Sequence, residues 1–213
     1  MNKTEYWFLD LVVEGQHRLK ILNHPEIELA TNRRTHGLPF EELAETIYRL
    51  CQQGDITTGI NEREVQLSLA GIEAGLSGQV SVWYGLTAQG GAKWEEYSNP
   101  NRDRYVDAWF AIDPHEGEIT ATTRDLVEKS LAYQPAFDQL IIKGSETWEV
   151  LSPWQATYWK VLPIGYRVKF EYMLDEKTSW EPSELHLLDA KRQQQQEYWK
   201  LAKWYTSFLT DNS

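Results

Sequence analysis

The chain of 213 residues carries 32 Asp and Glu against 21 Lys and Arg, a formal net charge of −11, and is 41% apolar. That apolar share is enough to close a core in one ordinary domain or two small ones, and it excludes a disordered polymer. The acid excess is spread, 15 against 10 in residues 1–104 and 17 against 11 in residues 105–213, so long-range attraction to nucleic acid or anionic lipid is unfavourable.

Cys51 is the one cysteine, which excludes an internal disulfide and a cysteine-rich metal site. The opening MNKTEYWFLD has no apolar stretch of signal type, and no run of about 18 apolar residues occurs, so a soluble, cytoplasmic protein is expected.

In chain order, Phe8, Leu11, Val12, Leu19 and Leu22 recur at helical spacing and predict an amphipathic helix over residues 5–22, ended by Pro25. Residues 26–37 (EIELATNRRTHG) lack apolar periodicity and read as a connector with one helical turn. Pro39 suits a first helical position, after which Phe40, Leu43, Ala44, Ile47, Leu50 and Cys51 form one stripe through Gln53, with Gly54 as the stop. Asn61 is positioned to cap another helix in which Val65, Leu69, Ile72 and Leu76 are in phase. The stretch VSVWYGLTAQGGAKWEEYS over residues 80–98 alternates as a strand, and Thr87 then caps a helix whose Ala92, Trp94 and Tyr97 are expected to pack inward. Gly90 and Gly91 weaken that helix by about 1 kcal/mol each relative to alanine, which makes sense where another backbone comes close.

At this point the chain resembles the winged helix-turn-helix module of bacterial MarR- and PadR-type regulators. Tyr48-Arg49-Leu50-Cys51-Gln52-Gln53-Gly54 matches the helix that precedes a wing. Leu86-Thr87-Ala88-Gln89-Gly90 matches the strand-to-helix step that follows one. The resemblance covers about the first hundred residues and implies a DNA-binding regulator. Arg33 and Arg34, with Asn32 and His36, form a locally basic loop that in a nucleic-acid binder could hold phosphate oxygens, against the alternative of a solvated loop or pairing with Glu26, Glu28 and Glu41. Two features set the chain apart. The helix standing where a recognition helix would lie presents Glu41, Glu42 and Glu45 against Arg49, whereas a base-reading helix presents Arg, Lys, Asn or Gln. The insertion over residues 55–78 is also long for a wing.

Residues 99–104 (NPNRDR) have turn composition and mark the expected boundary between a unit over 1–104 and a unit over 105–213. Beyond it, residues 105–112 alternate as a strand, Pro114 to Gly117 form a turn, and residues 118–122 pair back. A short helix over residues 123–133 is halted by Pro135, and strands follow around residues 139–143, 147–151 and 165–174. In the last of these, Tyr166, Val168, Phe170 and Tyr172 share one face and Arg167, Lys169 and Glu171 the other. A long helix over residues 182–209, polar from Lys191 to Glu197 and aromatic at its end, closes the chain.

Three sets of side chains are candidate sites. Asp113, His115, Glu116 and Glu118 put four potential metal ligands in six residues, against the alternative of a solvated hairpin turn. His24, Glu26 and Glu28 alternate on an extended segment but lack a second ligand set. Trp148, Trp154, Tyr158, Trp159, Tyr166 and Trp180 are dense within 33 residues, as core or as a partly exposed interface or pocket. Cys51, on an apolar stripe, reads as a buried small hydrophobe rather than a nucleophile. No nucleophile elbow, phosphate loop or dinucleotide fingerprint is present.

The expected fold class is α+β: a winged-helix-like N-terminal unit, then a small antiparallel-sheet unit with a long C-terminal helix. The expected function is that of a non-enzymatic protein-interaction or regulatory module with an acidic surface. Its partner would be another protein of basic character, with no cofactor, nucleic acid or membrane. The alternatives are a DNA-binding regulator using Arg33 and Arg34, and a metal-assisted enzyme using the turn from Asp113 to Glu118.

Overall fold

The computed structural model of the chain describes residues 1–175 and 185–205. The fold is α+β, helices with antiparallel sheets. Met1–Asn99 with Thr157–Lys160 belong to a first unit, and Pro100–Ala156 with Val161–Tyr205 form a second.

In the first unit, α1 (Lys3–Leu11) opens on a capping box: the Asn2 side chain accepts the Glu5 amide at 2.8 Å and the Glu5 carboxylate accepts the Asn2 amide at 3.0 Å. The helix stops at Leu11, short of the expected Leu22. Residues 6–13 are all buried, and the polar stretch from Glu14 to Gln16 leads into β1 (His17–Arg18). Leu19 and Leu22, three apart, then turn inward from a 3-10 turn (Leu19–Asn23), a spacing that a 3-10 turn satisfies as well as an α-helix does. The connector supplies one short helix, α2 (Ile27–Thr31), ending on Asn32 at a left-handed φ of 50°.

Pro39 is the residue just before α3 (Phe40–Gln52), whose buried face is Leu43, Ala44, Thr46, Ile47 and Leu50. Each buried Leu or Ile contributes about 1.5–3 kcal/mol, which makes α3 a main support of the core. The region after Gly54 departs from expectation. Asn61 does not cap a helix; with Glu62 it makes the two-residue turn, φ 49° and 64°, between β2 (Ile56–Ile60) and β3 (Arg63–Glu64). The β-branched run Ile56, Thr57, Thr58 prefers a strand, and helix α4 (Leu69–Leu76) begins only at Ser68, whose hydroxyl accepts the Gly71 amide at 3.3 Å.

β4 (Val82–Leu86) completes an antiparallel sheet in the order β1-β4-β2-β3. Val82, Tyr84 and Leu86 are buried, and Trp83, on the other face, covers Gly59 so closely that a Cβ there would lie 2.1 Å from the indole. Thr87 then caps α5 (Ala88–Ser98), its hydroxyl accepting the Gly90 amide at 3.0 Å. Of the three residues expected to pack inward from α5, only Trp94 is buried; Ala92 and Tyr97 are exposed because Gly90, Gly91 and Trp94 set the buried side.

The second unit is a sheet of β5 (Val106–Phe110), β6 (Glu116–Ala121) and β11 (Gly165–Leu174). The far side of β11 is shared by β7 (Gln139–Ile141), opposite Tyr172 to Leu174, and β8 (Thr147–Leu151), opposite Gly165 to Lys169. Ile119, Ala121, Val168, Phe170 and Tyr172 form its core with Leu126 and Val127 of α6 (Arg124–Ala132). The aromatic stretch after Pro153 makes two short paired strands, β9 (Trp154–Gln155) and β10 (Val161–Leu162). Helix α7 (Leu185–Ala202) is held by the Lys191 ion pair to Asp138, by Gln195 donating to the Ala136 carbonyl at 2.6 Å, and by Tyr198 against Phe137. It ends before Trp204, expected to be helical but instead buried edge-on to Tyr105 at 4.9 Å with the Arg102 guanidinium over it at 4.4 Å. Residues 182–184 and 206–209 of the expected helix lie outside the described residues.

Candidate functional site

Arg33, a candidate phosphate ligand, is turned into the first unit. Its guanidinium ion-pairs with the Asp10 carboxylate and donates to the Asp10 carbonyl at 3.2 Å, while the Trp94 indole N–H donates to the other Asp10 oxygen at 2.8 Å. Asp10 is 1% exposed, so Arg33 neutralises a buried charge that would otherwise be very costly. Arg34 is exposed and contributes its carbonyl, which accepts the Trp7 indole N–H at 2.7 Å. On α3, Glu41, Glu42 and Glu45 face solvent, and Arg49 pairs with Glu5 at 3.2 Å.

The four residues of the acidic turn are not gathered around a point. Glu118 lies on the outer face of the second sheet, where it pairs with Arg167 at 3.0 Å and Lys169 at 3.8 Å. The His115 ring stacks near Tyr172 at 5.2 Å, and Asp113 and Glu116 are exposed. Glu116 and Glu118 share a recess of about 280 Å³ with Trp109, Lys169 and Glu171. Among the described residues, no group of three or more His, Cys, Asp and Glu could hold a metal ion. In the first unit, His24 accepts the Glu26 amide at 3.1 Å and Glu28 accepts the Thr35 amide at 3.0 Å, local turn contacts.

The aromatic candidates separate by unit. In the second, Trp148 on β8 is 38% exposed beneath the Arg124 guanidinium at 4.6 Å, and Trp154 is buried over Gly165 and beside Tyr105. Tyr158 and Trp159 belong to the first unit. The Tyr158 hydroxyl donates to the Val12 carbonyl at 2.5 Å and accepts the Leu86 amide at 2.6 Å. The Trp159 indole donates to the Val13 carbonyl at 2.9 Å, with its ring over Gly91 and edge-on to Trp94. Trp180 lies outside the described residues.

Tyr158 and Trp159 line a cleft of about 580 Å³ in the first unit, with Ile56, Thr57 and Leu86 from β2 and β4 and with Glu64, Val65 and Gln66. That volume suits a small ligand or one anchoring side chain. Burial pushes the Tyr158 hydroxyl well above its usual range, so it is a neutral brace. Cys51 also lines the cleft, and burial raises its thiol to about 11, against a weaker downward pull from a hydrogen bond with the Thr58 side chain. Among the described residues, Glu64 is the charged group of the lining, beside no Lys, Arg or His. Tyr158 and Trp159 belong to the aromatic set read from the sequence, whereas β2 is not legible in the apolar pattern; the usable signal for it is the β-branched run at Ile56 followed by the Asn61 turn.

No family model matches the chain, and neither a curated protein nor a solved structure matches it. Among the described residues, no helix is long and apolar enough to cross a membrane.

Proposed function

We propose that the protein is a non-enzymatic interaction module of regulatory type that takes a basic segment of another protein. The observation carrying this reading is the first unit's cleft, lined among the described residues by Tyr158, Trp159 and one carboxylate, Glu64, and by no Lys, Arg or His. A lysine or arginine entering there meets aromatic surface and a carboxylate without a competing positive charge. The acidic outer side of α3 and the net charge of −11 favour the same class of partner through steering.

The winged-helix resemblance is part of the proposal as a scaffold. It is supported by the step from Leu86 through the Thr87 cap into α5. Its DNA-binding use is the rival, disfavoured because Arg33 is committed to Asp10 and α3 presents glutamates.

Calorimetric titration of the whole chain with a Lys- and Arg-rich peptide, an acidic peptide of equal length and random duplex DNA tests the reading. Binding of the basic peptide alone is expected, weakened by salt and by Glu64→Gln. Silence toward the peptide, or a duplex complex that salt abolishes, would transfer the assignment to the nucleic-acid rival or remove it.

A further inference from the structure

We infer that the free edge of β8 in the second unit is a strand-addition site for an extended segment of a partner protein that carries a basic residue between two apolar ones. This site is separate from the cleft of the first unit. β8 pairs with β11 through five consecutive residues, and among the described residues no strand pairs along its other side. Four of its five residues are exposed, and Thr147-Trp148-Glu149-Val150-Leu151 holds no Pro, Gly or Lys of the kind that blunts an open edge.

The two faces of β8 state what would fit. Trp148 and Val150 stand opposite Val168 and Tyr166 on the core side of the sheet, yet they are 38% and 60% exposed. Arg124 covers one side of Trp148, and Val150 is the more exposed of the two. On the outer side Glu149 stands opposite Arg167, with 3.5 Å between their charged groups. An added strand places alternate residues on these two faces. Apolar side chains beside Trp148 and Val150 would extend the core, and a lysine or arginine beside Glu149 would continue a row of alternating charge from Arg167. Opposite charges directly across a strand pair stabilise it and like charges do the reverse.

The same rule argues against a second copy of this chain. A two-fold pairing that sets Trp148 against the partner's Val150 also sets Glu149 against Glu149, and one centred on Trp148 sets Val150 against Glu146.

The test is fluorescence anisotropy of the whole chain with two labelled peptides, GTVKVTG and GTVEVTG, joined to amide hydrogen exchange with and without peptide. Wild type is expected to prefer the lysine peptide by about tenfold, and Glu149→Lys, a surface change, to reverse that preference. Bound peptide should slow exchange at alternate amides of β8, and Val150→Lys should weaken both peptides. Equal affinities, binding without protection of β8, or a dimer of the free protein that Glu149→Lys strengthens would each overturn the assignment. Exchange is read separately at β8 and at β2 and β4, which line the cleft, so a failure at β8 stays distinct from a failure of the cleft.

Discussion

Trp94 reaches back 84 positions to donate its indole hydrogen to the carboxylate of Asp10 at 2.8 Å, in the buried interior of the first unit. Arg33 ion-pairs with the other carboxylate oxygen, so one buried acid ties α1, α5 and the segment after α2 together. Removing one partner of such a pair strands the other: Asp10→Ala or Arg33→Met is expected to cost about 3–5 kcal/mol in urea unfolding. Asp10→Asn with Arg33→Met should recover part of that loss, and single variants within about 0.5 kcal/mol of wild type would show the pair to be unimportant.

Gly90→Ala provides a test in which two effects have opposite sign. Helix propensity alone predicts a gain of about 1 kcal/mol. The new Cβ, however, would sit 1.8 Å from the Asp55 carbonyl oxygen, and at Gly91 it would sit 2.0 Å from the Trp159 ring. Backbone at Gly90 has no easy way to yield, so overpacking should win and both alanine variants should lose about 1–3 kcal/mol, measured by chemical denaturation.

The thiol of Cys51 gives a chemical readout of the cleft. With its titration raised from 9.0 to about 11, the thiolate fraction near pH 8 falls by about a hundredfold relative to the unfolded chain. Alkylation by iodoacetamide should therefore be slow in native protein at pH 8, rise steeply above pH 9, and become fast on unfolding. Rapid native labelling at pH 8 would contradict the buried, neutral thiol.

His17 carries a pH dependence of determinable sign. Burial, and secondarily the nearby positive charge of Arg33, lowers its titration below 6.5. Between that lowered value and 6.5 the unfolded chain binds more protons than the folded one, so stability drops as pH falls through this window. Thermal unfolding between pH 7.5 and 5.5 should show a shallower pH slope in His17→Gln than in wild type.

The second unit's sheet is legible in the sequence because β11 alternates cleanly from Tyr166 to Tyr172 and Thr123 marks the start of α6. The same local signals serve α3 and the step from β4 through Thr87 into α5. What escapes is decided by contacts distant in sequence. Val12 and Val13 look like further turns of α1, but their carbonyls meet Tyr158 and Trp159, 146 residues later. Asn61 offers a helix cap and a left-handed turn equally well, and only the pairing of β2 with β3 and β4 selects the turn. The cleft inherits both misses, since β2 and that distant aromatic pair both line it.

Because the four residues from Thr157 to Lys160 belong with Met1–Asn99 although their neighbours on both sides belong elsewhere, no single cut along the polypeptide yields the first unit whole. A gene shortened after Asn99 would encode a fragment missing the phenol and the indole that close on Val12, Val13 and Leu86, with Gly85 and Gly91 left bare. Ribosomal synthesis meets the same constraint, for the opening hundred residues must wait until more than fifty others have emerged before their last two large rings arrive.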